Sequence, residues 1–264
     1  MKKLYTHISH ILTLISACRN AGMSLADIAR VLLADYRSRI GAGPKEFIIS
    51  VDGMRLAIRS NPVDHRIALE VLGGIYAVSP TMPVSRILDL GANIGASALY
   101  LQRRFPEAAI ACVEPSPGNL AMLKKNQSLN ALSLTIFECA VGAEPGTTTL
   151  YDTADPSCCT LLPRSGDGTT EVVVSTKTVP EIMTCLGWAN IDLLKVDIEG
   201  YEKVILANSP EWLSRVSSIV GEIHEGYSVE QLKHDLAPFS FDVSISSPPN
   251  QHGQATFVAM AAPT

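Results

Sequence analysis

Three short stretches hold residues whose types and order could do chemistry. The first is Ile87-Leu88-Asp89-Leu90-Gly91-Ala92-Asn93-Ile94-Gly95. An apolar run meets a glycine turn there, and a helix-like stretch with Ala96, Ala98 and Leu99 follows at once. In an open α/β sheet, ligands sit beyond the carboxyl ends of the strands. Glycines at such a turn let a ligand approach the backbone and permit conformations that a Cβ forbids. The spacing then discriminates between ligands. A dinucleotide fingerprint reads G-x-G-x-x-G, with amides and a helix N-terminus facing a pyrophosphate. Here the pattern is Gly91-x-x-x-Gly95, preceded by Asp89. A carboxylate beside a diphosphate is repelled, whereas one beside an α-ammonium is attracted. S-adenosylmethionine carries an ammonium and a sulfonium, so the charge pattern favours it. The second stretch ends at Glu114, 19 residues after Gly95. An acid at the end of a second strand is placed to accept hydrogen bonds from ribose hydroxyls. In order and at this interval, the two stretches point to an adenosine-containing ligand.

The third stretch is Glu222-Ile223-His224, at the end of a later strand-like run. Residues i and i+2 share a strand face, so both side chains are expected to enter one site. Transfer of a methyl group from a sulfonium is an in-line displacement in which the protein mainly positions the reactants. An alcohol acceptor needs a base, or a metal that lowers its pKa. His224 is the expected general base, since an unperturbed imidazole titrates near working pH; a structural histidine is the competing reading. Asp197, Glu199 and Glu222 form a second candidate, a carboxylate set suited to Mg²⁺. The plainer reading has Glu199 and Glu202 open the following helix, where acids are favoured. That reading is preferred, so no metal is expected. Two other functions fit a sheet of this kind. A nicotinamide-dependent oxidoreductase is opposed by the missing third glycine and by Asp89. A non-catalytic nucleotide-binding regulatory module would leave Asp197, Glu222 and His224 without a role.

The residues also resemble a known family. Asp89-Leu90-Gly91-Ala92-Asn93-Ile94-Gly95, Val113-Glu114-Pro115 and Leu194-Lys195-Val196-Asp197-Ile198-Glu199-Gly200-Tyr201-Glu202 resemble the FkbM-type methyltransferases. The last stretch, of the form K-x-D-x-E-G-x-E, is the most specific. The resemblance covers roughly residues 85–225. It implies a Rossmann-like class I methyltransferase fold and S-adenosylmethionine as cofactor. It also implies O-methylation of a hydroxyl on a sugar or natural product. Carried over by position, it implies that Asp89, Gly91, Asn93 and Gly95, with Ala92 between them, line the methionine part. Glu114, beside Pro115, would hold the ribose, with Ser116 and Asn119 close to it. Ala140 and Val141 would border the adenine, and Asp197 would lie near the methyl group.

These residues require a particular scaffold. From residue 86, strand-like runs at Ile87–Leu90, Ile110–Val113, Leu134–Phe137, Leu193–Val196 and Ile219–Ile223 alternate with helix-like stretches near 95–104, 117–129, 200–207 and 228–236. Such alternation predicts βαβ units and a mainly parallel sheet. Phe241–Ile245 and Thr256–Met260 read as closing strands that add an antiparallel edge. Thr147–Tyr151 and Glu171–Thr176 read as two extra strands. The loop between them is long enough to be functional, with Cys158, Cys159 and Thr160 at its tip. Before the alternation, helices are expected over about 4–18 and Ser24–Ser38. A hairpin around Asp52-Gly53 and a helix over about 64–78 ended by Pro80 and Pro83 follow. The division is residues 1–80 as a cap or oligomerisation segment and 81–264 as the cofactor-binding domain.

Composition narrows the rest. The chain has 264 residues, 47% of them hydrophobic, enough for one sizeable core. A net charge of −5 argues against binding a nucleic-acid backbone. Cys18, Cys112, Cys139 and Cys185 lie in apolar segments and read as buried thiols, and Cys158-Cys159 lack the partners of a zinc site. The opening Met1-Lys2-Lys3 and the apolar run to Cys18 resemble a lipoprotein signal, but His7, Ser9 and His10 interrupt it. No stretch is long enough to span a bilayer. The expectation is a cytoplasmic protein with a small-molecule hydroxyl acceptor, no nucleic-acid or membrane partner, and a homodimer through the N-terminal helices.

Overall fold

The computed structural model describes residues 11–12, 15–16, 18–19, 22–40, 46–51, 53–152, 159–162, 169–207, 210–250 and 253–262. Most of the helix expected over 4–18 lies outside them, as do the linker at 41–45 and Cys158.

A seven-stranded sheet organises the chain. Its strands are β3 (Arg86–Leu90), β4 (Ala109–Val113), β5 (Leu134–Phe137), β9 (Leu193–Val196), β10 (Ser218–Ile223), β11 (Phe241–Ser247) and β12 (Ala255–Ala261). They lie in the order β11-β12-β10-β9-β3-β4-β5. The five strands from β5 to β10 run parallel, and β12 is antiparallel to both β10 and β11. The architecture is therefore α/β with a mainly parallel sheet and an antiparallel final strand, as the alternation predicts. The order reverses at β3 and β9, and ligands of such sheets bind outside the carboxyl ends at this switch point.

Both faces of the sheet are covered, which explains why its central strands are apolar runs rather than alternations. Ile87, Ile110 and Leu193 enter one hydrophobic cluster. Their neighbours Leu88, Ala111 and Leu194 enter the other, as the two-residue period of a strand demands. The first cluster is completed by the N-terminal region. It includes Ile28 and Val31 of α1 (Leu25–Arg39), Ile49 and Leu56 of the hairpin β1 (Glu46–Val51) and β2 (Met54–Arg59), and Leu69 of α2 (Pro62–Leu72). Ser24 caps α1 by accepting from the Asp27 amide at 3.2 Å. Asn126, on α4 (Pro117–Leu129), stitches the hairpin to the glycine loop: its amide donates to the carbonyls of Ala57 and Ile94 at 3.0 and 2.8 Å.

Two features differ from the sequence expectations, whereas the two extra strands form where they are expected. Helix α2 stops at Leu72, before Pro80. Gly74 takes a φ of 93°, and the amides of Gly74 and Ile75 bond back to Val71 and Glu70, a left-handed termination that glycine favours. This early stop frees Ile75 and Tyr76 to turn towards the sheet. The crossover into β9 contains an unforeseen helix, α5 (Val179–Leu186), closed by the Thr178–Glu181 capping box; Cys185 lies on its exposed side rather than buried. The two extra strands, β7 (Gly146–Asp152) and β8 (Thr170–Lys177), form a separate three-stranded sheet with β6 (Ala140–Val141), in which β8 is the central strand.

Candidate active site

The glycine loop follows β3 and leads into α3 (Ala96–Arg104). Its glycines answer to the chain itself before any ligand. Gly91 has φ 76°, and a Cβ there would stand 1.8 Å from the Asp197 carbonyl oxygen. Gly95 has φ 89°, and its Cβ would meet Leu123 Cδ1 at 2.6 Å. Asp89 corrects the sequence reading. Its residue is 0% exposed, it lines neither cavity beside the loop, and it faces inward. Ser97 Oγ donates to its Oδ2 at 2.6 Å, and Lys195 Nζ stands 3.1 Å from Oδ1. The same ammonium donates to the carbonyl oxygens of Gly91 and Leu90 at 2.6 and 3.2 Å. Burial alone would pull Lys195 down, but the charges of Asp89 and Asp197 outweigh it and hold its pKa above the ordinary value. Asp89 and Lys195 thus form the floor that fixes the loop. Reading Asp89 as a ligand carboxylate overlooked a buried lysine from β9 that arrives only on folding.

On one side of the loop a cavity opens between the ends of β3, β4 and β9. Gly91, Asn93, Glu114, Pro115 and Asn119 line it, and Ala140, Val141 and Asp197 close it. Glu114 is preorganised. Its carboxylate accepts from the Asn93 amide at 2.8 Å, the Ser116 amide at 2.8 Å and Asn119 Nδ2 at 3.3 Å. Burial pushes its carboxyl above the ordinary range, against the pull of those hydrogen bonds. Three donors leave acceptor capacity on the two oxygens for a diol. Ser116 does not line the cavity; it caps α4. Gly95 likewise only opens α3. Leu150, Leu161 and Tyr201 complete the wall and were not foreseen, and Cys159, from the loop expected to be functional, joins them. Cys159 and Leu161 belong to the loop between β7 and β8, where Thr160 Oγ1 donates to the Glu199 carbonyl at 2.8 Å.

A larger cavity lies on the other side. It shares Gly91, Asn93, Asp197 and Glu199 with the first, and Ala92 faces it. Glu222 and His224 enter it together, as their spacing predicts, alongside Tyr76 and Thr256. Tyr76 is 3% exposed, and its hydroxyl donates to Asp197 Oδ2 at 2.6 Å. It comes from the N-terminal region, which no motif covered, so nothing in the sequence marked it.

The environment of His224 contradicts its reading as a free general base. Nδ1 lies 3.0 Å from Glu202 Oε1. Nε2 faces Asp197 Oδ1 at 3.9 Å and Glu199 Oε2 at 3.7 Å. Burial would lower its pKa, but the hydrogen bond to Glu202 and the three carboxylates push it up to about 10. Near neutrality the imidazole is already protonated and cannot take a proton. Burial and the Asp197 charge push Glu199 up to about 8 and Glu222 up to about 7. Glu202 begins the short helix α6 (Glu202–Leu206), as the helix-opening reading expects, whereas Glu199 lies before the helix with a φ of 54°. Glu202 Oε1 also accepts from the Ile198 and Gly200 amides at 2.9 and 3.2 Å. Among the described residues, Asp197, Glu202 and His224 each bring one ligand atom within 4.8 Å of the others, a different set from Asp197, Glu199 and Glu222.

Comparison with known proteins agrees with this geometry. Residues 89–242 match the Methyltransferase FkbM domain family. Methyltransferase sdnD of Sordaria araneosa is 30% identical over 192 residues, covering 60% of this chain and 74% of that protein. The 31-O-demethyl-FK506 methyltransferase FkbM of Streptomyces tacrolimicus is 25% identical over 174 residues, 54% of this chain and 66% of that protein. Among solved structures, Methyltransferase FkbM from Methylobacillus flagellatus is similar with a TM-score of 0.44 and 14% identity, over 88% of this chain and 60% of that chain. No helix among the described residues is long and apolar enough to cross a membrane. The family match spans more than half of the chain and contains Asp89, Glu114, Asp197, Glu222 and His224, and the chain belongs to the FkbM methyltransferase family.

Proposed function

We propose that the protein is an S-adenosylmethionine-dependent O-methyltransferase acting on a hydroxyl of a sugar or other small natural product. The observation that carries this reading is the meeting of two cavities at Asp197. One is suited to an adenosine, with Glu114 presented to a ribose and Ala140 and Val141 to a base. The other admits an acceptor from the opposite side. The carboxylates at their junction fit a cationic ligand, and Asp197 Oδ1 is buried without a hydrogen-bond partner among the described residues.

S-adenosylmethionine, when bound, supplies an electrophilic methyl group on a sulfonium. The chain's part is to place an acceptor oxygen in line with it, which accounts for most of the rate such an enzyme provides. Asp197, fixed by Tyr76, faces the junction. Glu222 lines the acceptor cavity and is the nearest candidate to take the hydroxyl proton as the oxygen–carbon bond forms and the carbon–sulfur bond breaks. His224, already protonated, holds Glu202, Asp197 and Glu199 in place. The Streptomyces tacrolimicus relative, named as a 31-O-demethyl-FK506 methyltransferase, supports an oxygen acceptor. Titration calorimetry with S-adenosylmethionine and with NADH tests the reading. Saturable heat with the former alone is expected; no binding of S-adenosylmethionine at millimolar concentration removes it.

A further inference from the structure

His224 is held as a metal-binding imidazole is held. Its Nδ1 is paired with Glu202 Oε1 at 3.0 Å, and a carboxylate on one ring nitrogen fixes the ring and presents the other nitrogen outward. The other nitrogen, Nε2, meets no hydrogen-bond acceptor at bonding distance among the described residues. It faces Asp197 Oδ1 at 3.9 Å and Glu199 Oε2 at 3.7 Å. These gaps are too wide for hydrogen bonds. They match the spacing of two ligands that each stand about 2.1 Å from one shared cation, which is about 3–4 Å.

A second observation is independent of these distances. Asp197 Oδ1, which Nε2 faces, is buried and has no hydrogen-bond partner among the described residues. A buried carboxylate oxygen without a donor is costly to leave bare. One ligand atom from each of Asp197, Glu202 and His224 lies within 4.8 Å of the others. Lys195 cannot supply the missing charge here, since its ammonium is engaged by Asp89 and the carbonyls of Leu90 and Gly91.

We propose that His224 Nε2 and Asp197, with Glu199 on the open side, bind one divalent cation at the junction of the two cavities, while Glu202 holds the imidazole from Nδ1. One imidazole with carboxylates suits Mn²⁺, Fe²⁺, Co²⁺ or Zn²⁺ better than Mg²⁺, which favours oxygen and water alone. Placed there, the cation would take the place of the Nε2 proton, since a ligating imidazole is neutral, and would polarise the acceptor hydroxyl and ease loss of its proton. This role rests on the methyltransferase reading; the binding site itself does not.

The test uses the full chain stripped with chelator and titrated with MnCl₂, free Mn²⁺ being read by electron paramagnetic resonance. One Mn²⁺ per chain is expected, displaced by equimolar Zn²⁺ and not by equimolar Mg²⁺. Asp197→Asn and His224→Ala should weaken binding by more than about 10-fold, and Glu202→Gln by about 10- to 100-fold through the freed imidazole. Circular dichroism melting identifies any variant that fails to fold, and Glu199→Gln, which alters only the open side, then serves with a smaller loss. Wild-type chain that leaves all Mn²⁺ free, or folded variants that bind like wild type, overturn the site. Methyl transfer by a chelated, Mn²⁺-free chain overturns the cation's role and leaves the methyltransferase reading intact.

Discussion

On the Glu114 side of Gly91, the buried polar atoms have partners: Glu114 accepts from three donors, and Asn119 takes the Arg59 guanidinium at 2.8 Å. On the His224 side, Asp197 Oδ1 and Thr256 Oγ1, with Glu202 Oε2 behind the imidazole, are buried with none among the described residues. The first cavity is finished without its ligand, whereas the second is left incomplete. A satisfied wall holds one shape and binds by preorganisation. Bare acceptors around a cleft are destabilising unless something arrives to meet them. The origin of the residues follows the same division. The first cavity is built almost wholly from the strand ends of the family domain. The second draws on α2 and on Tyr76 before that domain, and on Ser247, Pro248, Asn250, Gln254 and Thr256 beyond it.

The comparison can be broken at its shared floor first. Lys195→Met would leave Asp89 buried and unpaired. A loss of about 3–5 kcal/mol in stability is expected from chemical denaturation; a near-wild-type midpoint would mean that the pair does not hold the loop. Gly95→Ala forces a left-handed φ onto a residue with a Cβ and presses on Leu123. About 1–3 kcal/mol of destabilisation should appear in the same assay. Next comes the finished side. Glu114→Ala should weaken S-adenosylmethionine binding by about 1.5–3 kcal/mol, read by calorimetry, and equal affinity would misplace the ribose. On the incomplete side, Tyr76→Phe removes one hydrogen bond to Asp197. It should lower kcat by the equivalent of about 0.5–1.5 kcal/mol while cofactor affinity holds, and a pure loss of cofactor affinity would move Tyr76 to the donor side. The smallest effect is expected for Thr256→Val. It replaces a bare hydroxyl with a methyl group, so stability should change by less than about 1 kcal/mol. A large loss would show that Thr256 Oγ1 had a partner.

Much of the finished side was legible beforehand. Strand runs, the glycine turn and Glu114 are local patterns, and a two-residue or helical period survives in sequence without knowledge of neighbours. Residues matched to the family lined the first cavity at Gly91, Asn93, Glu114, Pro115, Asn119, Ala140, Val141 and Asp197. Asp89, Gly95 and Ser116 carry the same motifs but serve packing and capping. A motif records that a residue type is needed at a position. It does not say whether a ligand or the chain's own backbone needs it.

The sequence by itself determined the α/β class, the switch point beyond β3 and the acid at the end of β4, because each depends on order and period along a few residues. Tertiary structure alone decided what the charges do. Asp89 looked free to meet an ammonium until Lys195 came beneath it from β9. His224 looked free to accept a proton until Glu202, Asp197 and Glu199 surrounded it. Charge interactions depend on distance and burial rather than on sequence separation, and Asp89 stands 106 positions before the lysine that neutralises it.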